Sequence, residues 1–487
     1  MKKLTMLATC VAVATMASSV AYAAPAVDFA GTYFRASVGS SRDGGQFTQN
    51  KNFLGRLGNE SDVWSDIGLG ANVFESDDLS IRGETMFALY NDGIGRGEKT
   101  DTDLEQLNIQ IKGLIPNDPD AVVWGGKRHY QREDLHQIDV KYYNVSGLGG
   151  GLEYLQVGPG KLSLAWTRND AEGFQYKYDA LNINEWNWVD ENNGGHALYS
   201  NKLKSINVNY LDARYAGWAP WDGAWTEFGF TYAMPKKGEA DDRNGQVSFF
   251  NGYNGSQFNL GDAYMATAQF SQSFNGGWNK TIVQYTTGGL AHHAIDIGDL
   301  WMDFWNNSDN AKGLNIINTG VTTICENLSM LHVVAYGVET HVNEDFSVAS
   351  SKGQVGNIST TFSKGSDVYS NFTPIDRKDS FRVVVRPSYQ LTKYTRLLAE
   401  IGAYWNHTKA AGQDKVLERQ QKYTLAYAIA PTADIFSRPE LRFFVTYLHA
   451  SDWDKTDANW TKGIRNADGD KYYKDNYIFG IQAEAWW

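Results

Sequence analysis

The chain ends Tyr477-Ile478-Phe479-Gly480-Ile481-Gln482-Ala483-Glu484-Ala485-Trp486-Trp487. Tyr477, Phe479, Ile481, Ala483, Ala485 and Trp487 take alternate positions, and Ile478, Gly480, Gln482, Glu484 and Trp486 take the others. A strand sends successive side chains to opposite faces, so one face here is apolar and aromatic and the other is mixed and polar. Aromatic rings at the ends of an apolar strand face suit the girdle of a transmembrane barrel. The terminal Trp487 on that face also suits an outer-membrane assembly signal.

The same split recurs along the chain. Val63, Ile67, Leu69, Ala71 and Val73 oppose Trp64, Asp66, Gly68 and Asn72. Leu397, Ala399, Ile401, Ala403 and Trp405 oppose Glu400, Gly402 and Tyr404, and Leu441, Phe443, Val445 and Tyr447 oppose Arg442, Phe444 and Thr446. Each segment is about ten residues long, the span of a tilted transmembrane strand. Short turns such as Ala430-Pro431-Thr432-Ala433 alternate with long polar stretches, Asn406 to Gln420 and Ser451 to Lys474. This pattern predicts one all-β domain with short turns at one end and long loops at the other. A soluble β sandwich also alternates, but it sets charged residues on the solvent face and aliphatic ones in the core.

Composition narrows the class further. The 487 residues include 48 Gly but only 10 Pro, 14% are aromatic, and the net charge is −12. That aromatic content excludes a collagen-like or disordered chain. The acidic balance argues against nucleic-acid binding. Beyond the N-terminus there is no apolar run of about 18 residues, so helical membrane spans are excluded.

Lys2 and Lys3, the apolar run Leu4 to Ala17 and the site Ala21-Tyr22-Ala23 have the layout of a secretory signal peptide. Residues 1–23 are expected to be removed, leaving 24–487 as a single barrel domain. Cys10 leaves with the signal, so Cys325 is the lone cysteine and the exported chain can form no intramolecular disulfide.

Several stretches resemble the maltoporin family of sugar-specific porins. They include Ala26 to Arg35, Arg56-Leu57-Gly58-Asn59-Glu60 with Trp64 and Asp66, and Val123-Trp124-Gly125-Gly126-Lys127-Arg128-His129-Tyr130-Gln131-Arg132 with Asp134, His136 and Asp139. Ser146 to Glu153, Asn279-Lys280, Ser437-Arg438-Pro439 and the closing Trp486-Trp487 continue the series. The resemblance implies an 18-stranded antiparallel transmembrane β-barrel with an inward-folded third loop as constriction. It further implies a homotrimer in the Gram-negative outer membrane, in contact with its lipid and with an oligosaccharide substrate. It implies passive diffusion, with no cofactor, no metal and no enzymatic step.

Carried over residue by residue, Tyr33, Trp64, Trp278, Phe436 and Trp486 match aromatics on which sugar rings slide. Arg35, Arg56, Asp66, Arg132 and Asp139 match a polar track beside them. Parity supports Trp486 and Trp64, which share faces with Gln482 and Glu484 and with Asp66. It leaves Trp278 open. Tyr33 shares a face with Arg35 but also with Val27 and Phe29, so a bulge near Gly31-Thr32 is needed to turn it inward.

The chain departs from the family pattern in four places. No aromatic between Tyr90 and Asp103 matches the one that a neighbouring subunit contributes, so the slide is expected to start lower in the channel. Glu105 replaces a track arginine, Lys141 replaces the tyrosine at the constriction, and Ser61 stands where a first-loop disulfide has a cysteine. Sequences typical of serine hydrolases, zinc proteases and nucleotide binders are missing, and the adjacent pair His292-His293 reads as loop. A general porin and a secreted glycoside hydrolase are the alternative readings.

Overall fold

A computed structural model describes residues 26–91, 100–176, 187–190, 195–197, 201–235, 261–274, 276–298, 310–342, 352–355, 358–361, 375–453, 462–466 and 471–487. The signal-peptide expectation for residues 1–23 lies outside them. Eighteen strands form the wall. They begin β1 (Tyr33–Ser41), β2 (Val63–Glu75), β3 (Ser80–Asn91), β4 (Asp101–Lys112), β5 (Val122–Arg128) and β6 (Gly147–Val157). They continue β7 (Gly160–Tyr176), β8 (Asn201–Trp218), β9 (Ala224–Pro235), β10 (Ala263–Phe274), β11 (Gly277–Thr287) and β12 (Lys312–Cys325). They end β13 (Leu328–Val342), β14 (Ile375–Gln390), β15 (Thr395–Ala410), β16 (Val416–Ile429), β17 (Glu440–Ala450) and β18 (Asp475–Trp486).

Every strand pairs antiparallel with its sequence neighbours, and β1 closes the barrel on β18 through Tyr33↔Trp486 to Ser41↔Ile478. Closure leaves no free edge, the condition for β structure in lipid. Alternation then sorts the side chains. Tyr477, Phe479 and Ile481 are exposed on the outside, while Gln482 and Glu484 are buried in the lumen.

The bulge expected near Gly31 is present. Asp28–Phe29 pairs Phe29 with Leu69, whereas Tyr33 pairs with Asp66, so one strand carries an extra residue between them. Gly31 holds φ at +71°, in the left-handed region. Gly68 lets Ala30 approach so closely that a β-carbon there would overlap its carbonyl oxygen. Phe29 therefore points outward, 60% exposed, and Tyr33 turns to the lumen.

Connections of 2–10 residues occupy one end and long ones the other, with two short exceptions at the long-loop end, 92–100 and 411–415. The long polar loop expected over Asn406 to Gln420 is strand for most of its length, pairing Trp405 with Arg419 and Thr408 with Val416. Polar side chains fit a ladder wherever the barrel rises above the bilayer and both faces meet water, so polarity alone did not mark the loop.

Among the described residues, three inward folds narrow the lumen. The third loop carries a hairpin, Glu133–Leu135 against Val140–Tyr143. Its Leu135, Ile138, Val140, Tyr142 and Tyr143 form a core with wall residues such as Val208, Met265, Ile282 and Val333. The first loop adds a short helix, Lys51–Leu54, whose Leu54 packs with Leu57 against Leu398, Ala426 and Phe444. A second short helix, His293–Asp296, buries His293, and Arg382 from β14 donates to the Asn52 and Ile295 carbonyls, joining both helices to the wall. His292-His293 thus belongs to an inward fold, and the described residues contain no group of metal-ligating side chains.

Candidate functional site: the lumen at the constriction

Strand register brings distant residues together around a cavity of about 640 Å³. Tyr33, Trp64, Phe436 and Trp486 line it, with Arg35, Arg56, Asp66, Arg132, Asp139 and Lys141. Trp278 is not part of that lining. Near the turn end of β11 it has the parity of Lys280, which reaches the third loop at Glu133, so Trp278 faces the lumen apart from the other four rings.

Closure of the barrel sets the central ring pair. Tyr33 and Trp486 are cross-strand partners, their rings 6.5 Å apart and inclined by 17°. The Arg438 guanidinium lies 4.0 Å from the centre of the Trp486 ring and donates to Glu484 at 2.7 Å. His136 meets Trp486 edge-on at 5.4 Å and Phe436 at 6.3 Å. Trp64 stands further round the wall, its indole N–H donating to Asp66 at 2.8 Å. It stacks on Tyr90 at 4.9 Å.

Two of the three arginines of the expected track, Arg35 and Arg56, are tied into a buried network, whereas Arg132 is exposed beside His129. Arg35 grips Asp62 with two bonds, 2.7 and 2.5 Å, and also meets Glu60 at 3.1 Å and Asp139 at 3.0 Å. Arg56 pairs with Glu60 and Glu484, each at 2.9 Å, and donates to the Tyr33 hydroxyl at 2.8 Å. Two planar forks held by several carboxylates cannot swing, so the cavity wall is preorganised. Glu60 is fully buried, which favours its neutral form. Arg35, Arg56 and Lys51 outweigh that and hold its carboxyl down to about 2. Burial also opposes ionisation of Asp139, yet Arg56, Lys51 and Arg35 keep it well below the usual range. Burial, with Arg56 beside it, keeps His136 neutral, its pKa well below that of an ordinary histidine.

A second cavity, also about 640 Å³, opens on the loop side and shares Lys51, Asp139 and Lys141 with the first. These three residues mark the neck between the two spaces. Lys51 meets Asp139 at 2.5 Å. Among the described residues no carboxylate pairs with Lys141, which acts on Asp134 and Asp139 only through space. Glu105 has turned its departure from the pattern into a local pair, 3.2 Å from His129. Ser61 hydrogen-bonds to the Thr48 hydroxyl at 3.0 Å.

Sequence reasoning missed Glu60, Asp62, Glu484, Arg438, Lys51 and Tyr90. Glu484 shares the lumen parity of Trp486, a signal that could have found it. The loop residues carry no periodicity that could.

Residues 27–487, nearly the whole described chain, match the family LamB porin. Maltoporin 1 of Klebsiella pneumoniae is 38% identical over 480 residues, covering 98% of this chain and 96% of that protein. Maltoporin 2 of Yersinia pseudotuberculosis is 38% identical over 466 residues, covering 95% and 94%. Maltoporin 1 of Aeromonas salmonicida is 36% identical over 505 residues, covering 100% and 99%. A closed 18-stranded wall, an inward third loop and likeness from end to end all agree, and the chain belongs to the LamB porin family.

Proposed function

We propose that this outer-membrane porin conducts maltose, maltodextrins or related oligosaccharides by facilitated diffusion along Tyr33, Trp64, Phe436, Trp486 and, beyond the main cavity, Trp278. The observation that carries the reading is the stacked Tyr33–Trp486 pair lining one cavity with Arg35 and Arg56, with buried Glu484 behind Arg56. A pyranose has apolar C–H faces and a rim of hydroxyls. Rings in the lumen stack on the faces, and charged groups exchange hydrogen bonds along the rim, each contributing roughly 1.5–3 kcal/mol in favourable cases. Several weak neighbouring sites let a sugar enter and leave, as conduction requires.

Asp66, Arg132, Asp139 and Lys141 complete the polar track. The carboxylate–guanidinium pairs hold one another in place, so hydroxyls meet oriented partners. Residues 1–23 serve as a cleaved export signal, and three copies assemble in the membrane. The maltoporin names of the full-length relatives support the sugar class. No covalent step and no cofactor enter this mechanism.

The test is single-channel recording in a planar bilayer with maltotriose, then sucrose. Three equal closing steps with saturable block are expected, and the stronger blocker identifies the sugar. Channels that no sugar blocks would leave a general porin.

A further inference from the structure

β3 brings one more ring to the lumen. Tyr90 has the parity of Met86 and Ala88, both buried on the lumen face, and the register pairs it directly with Trp64. The two rings lie 4.9 Å apart and within 18° of parallel. Each has its polar edge tied to a carboxylate on a flanking position. The Trp64 N–H donates to Asp66 at 2.8 Å, and the Tyr90 hydroxyl donates to Asp103 at 2.9 Å.

Tyr90 is the penultimate residue of β3, at the long-loop end, while Trp64 already lines the main cavity. The pair therefore stands between that cavity and the mouth. On the outer face a stacked pair such as Tyr423–Tyr447 needs only lipid to cover it. In a water-filled lumen a half-buried ring face is stabilised by an apolar ligand surface, and a neighbouring carboxylate accepts from that ligand's hydroxyls.

We infer that Trp64 and Tyr90 together form a sugar-stacking subsite at the mouth, built within one chain, that takes the leading pyranose of an oligosaccharide before Tyr33 and Trp486. The inference rests on the sugar-slide reading. It differs from a role in which Tyr90 merely braces Trp64, because an added subsite matters only to sugars long enough to span it along with the rest of the slide.

The experiment compares maltose, maltotriose and maltohexaose as blockers of the full-length porin, with Y90A, Y90F and W486A. Y90A is expected to weaken maltohexaose binding by about threefold or more, slow its association from the long-loop side, and leave maltose near wild type. Y90F retains the ring and is expected to restore most of the loss. Equal weakening at every sugar length, or none at any length, overturns the subsite. If W486A also leaves block by every sugar untouched, the slide reading itself has failed. If W486A weakens block and Y90A does not, only the subsite has failed.

Discussion

Arg35 on β1 and Asp139 in the third loop meet at 3.0 Å, and this contact joins the barrel wall to the neck of the channel. The same oxygen of Asp139 receives Lys51 from the first loop at 2.5 Å. One carboxylate thus joins wall, first loop and third loop. The Asp139 side chain is 24% exposed, so removing its charge costs less than breaking a fully buried pair, which costs about 3–5 kcal/mol. Asp139→Asn is expected to loosen the neck while the barrel stays folded. The check is single-channel current: the variant should show larger or noisier conductance and weaker maltotriose block, with an unchanged heat-stable barrel on gels.

Glu60 sets the pH behaviour of the first loop. Its folded pKa, about 2, lies below the ordinary 4.5. A depressed carboxyl contributes its full stabilisation above the unfolded value and loses it as pH falls through the folded one. The window therefore runs from about pH 4.5 down to about 2, and the contribution is on the order of 3 kcal/mol. Sugar block, read on the folded channel, should stay level from pH 7 to about 4 and decline only as pH nears the folded value of about 2. Glu60→Gln should behave at pH 7 as the acid form does and lose that pH dependence. A wild-type change centred near neutrality would contradict this assignment.

Lys141 is a cation at the neck with no ion-pair partner among the described residues. A charge not neutralised locally acts on passing ions. Lys141→Gln should move the zero-current potential across a KCl gradient toward cation preference, and Lys141→Glu should move it further. An unchanged potential would mean that the pairs around Asp139 alone govern ion selectivity.

Thr48 and Ser61 hold the first loop through a hydroxyl pair 3.0 Å apart. The contact sets the two side chains against each other, and a disulfide there needs their Cβ atoms about 3.5–4.5 Å apart. The double variant Thr48→Cys, Ser61→Cys should oxidise on export, closing a loop whose stabilisation is about 3 kcal/mol in the chain-entropy treatment. A mobility difference between reduced and non-reduced denatured samples checks closure. In the oxidised form the acid sensitivity assigned to Glu60 should be reduced.

The wall was legible in the sequence. Two-residue alternation at Tyr477–Trp487 and its counterparts fixes inside from outside for each strand, because a strand has only two faces. It even required the bulge at Gly31, since without it Tyr33 and Phe29 would share a face. Parity equally placed Trp486 and Trp64 in the lumen. It could not mark the loop after Ala410, because strand residues above the membrane are as polar as loop residues.

The network lay beyond sequence. Glu60 and Glu484 are 424 positions apart yet share Arg56, and Arg35 reaches Asp139 across 104. Such pairs exist only once β1 closes on β18 and the first and third loops fold inward. Local sequence determined that this chain forms membrane-length strands with a polar lumen face. Tertiary structure alone decided which charges neutralise one another, that Lys141 meets no carboxylate among the described residues, and which rings stack, because these depend on register and closure rather than on neighbours along the chain.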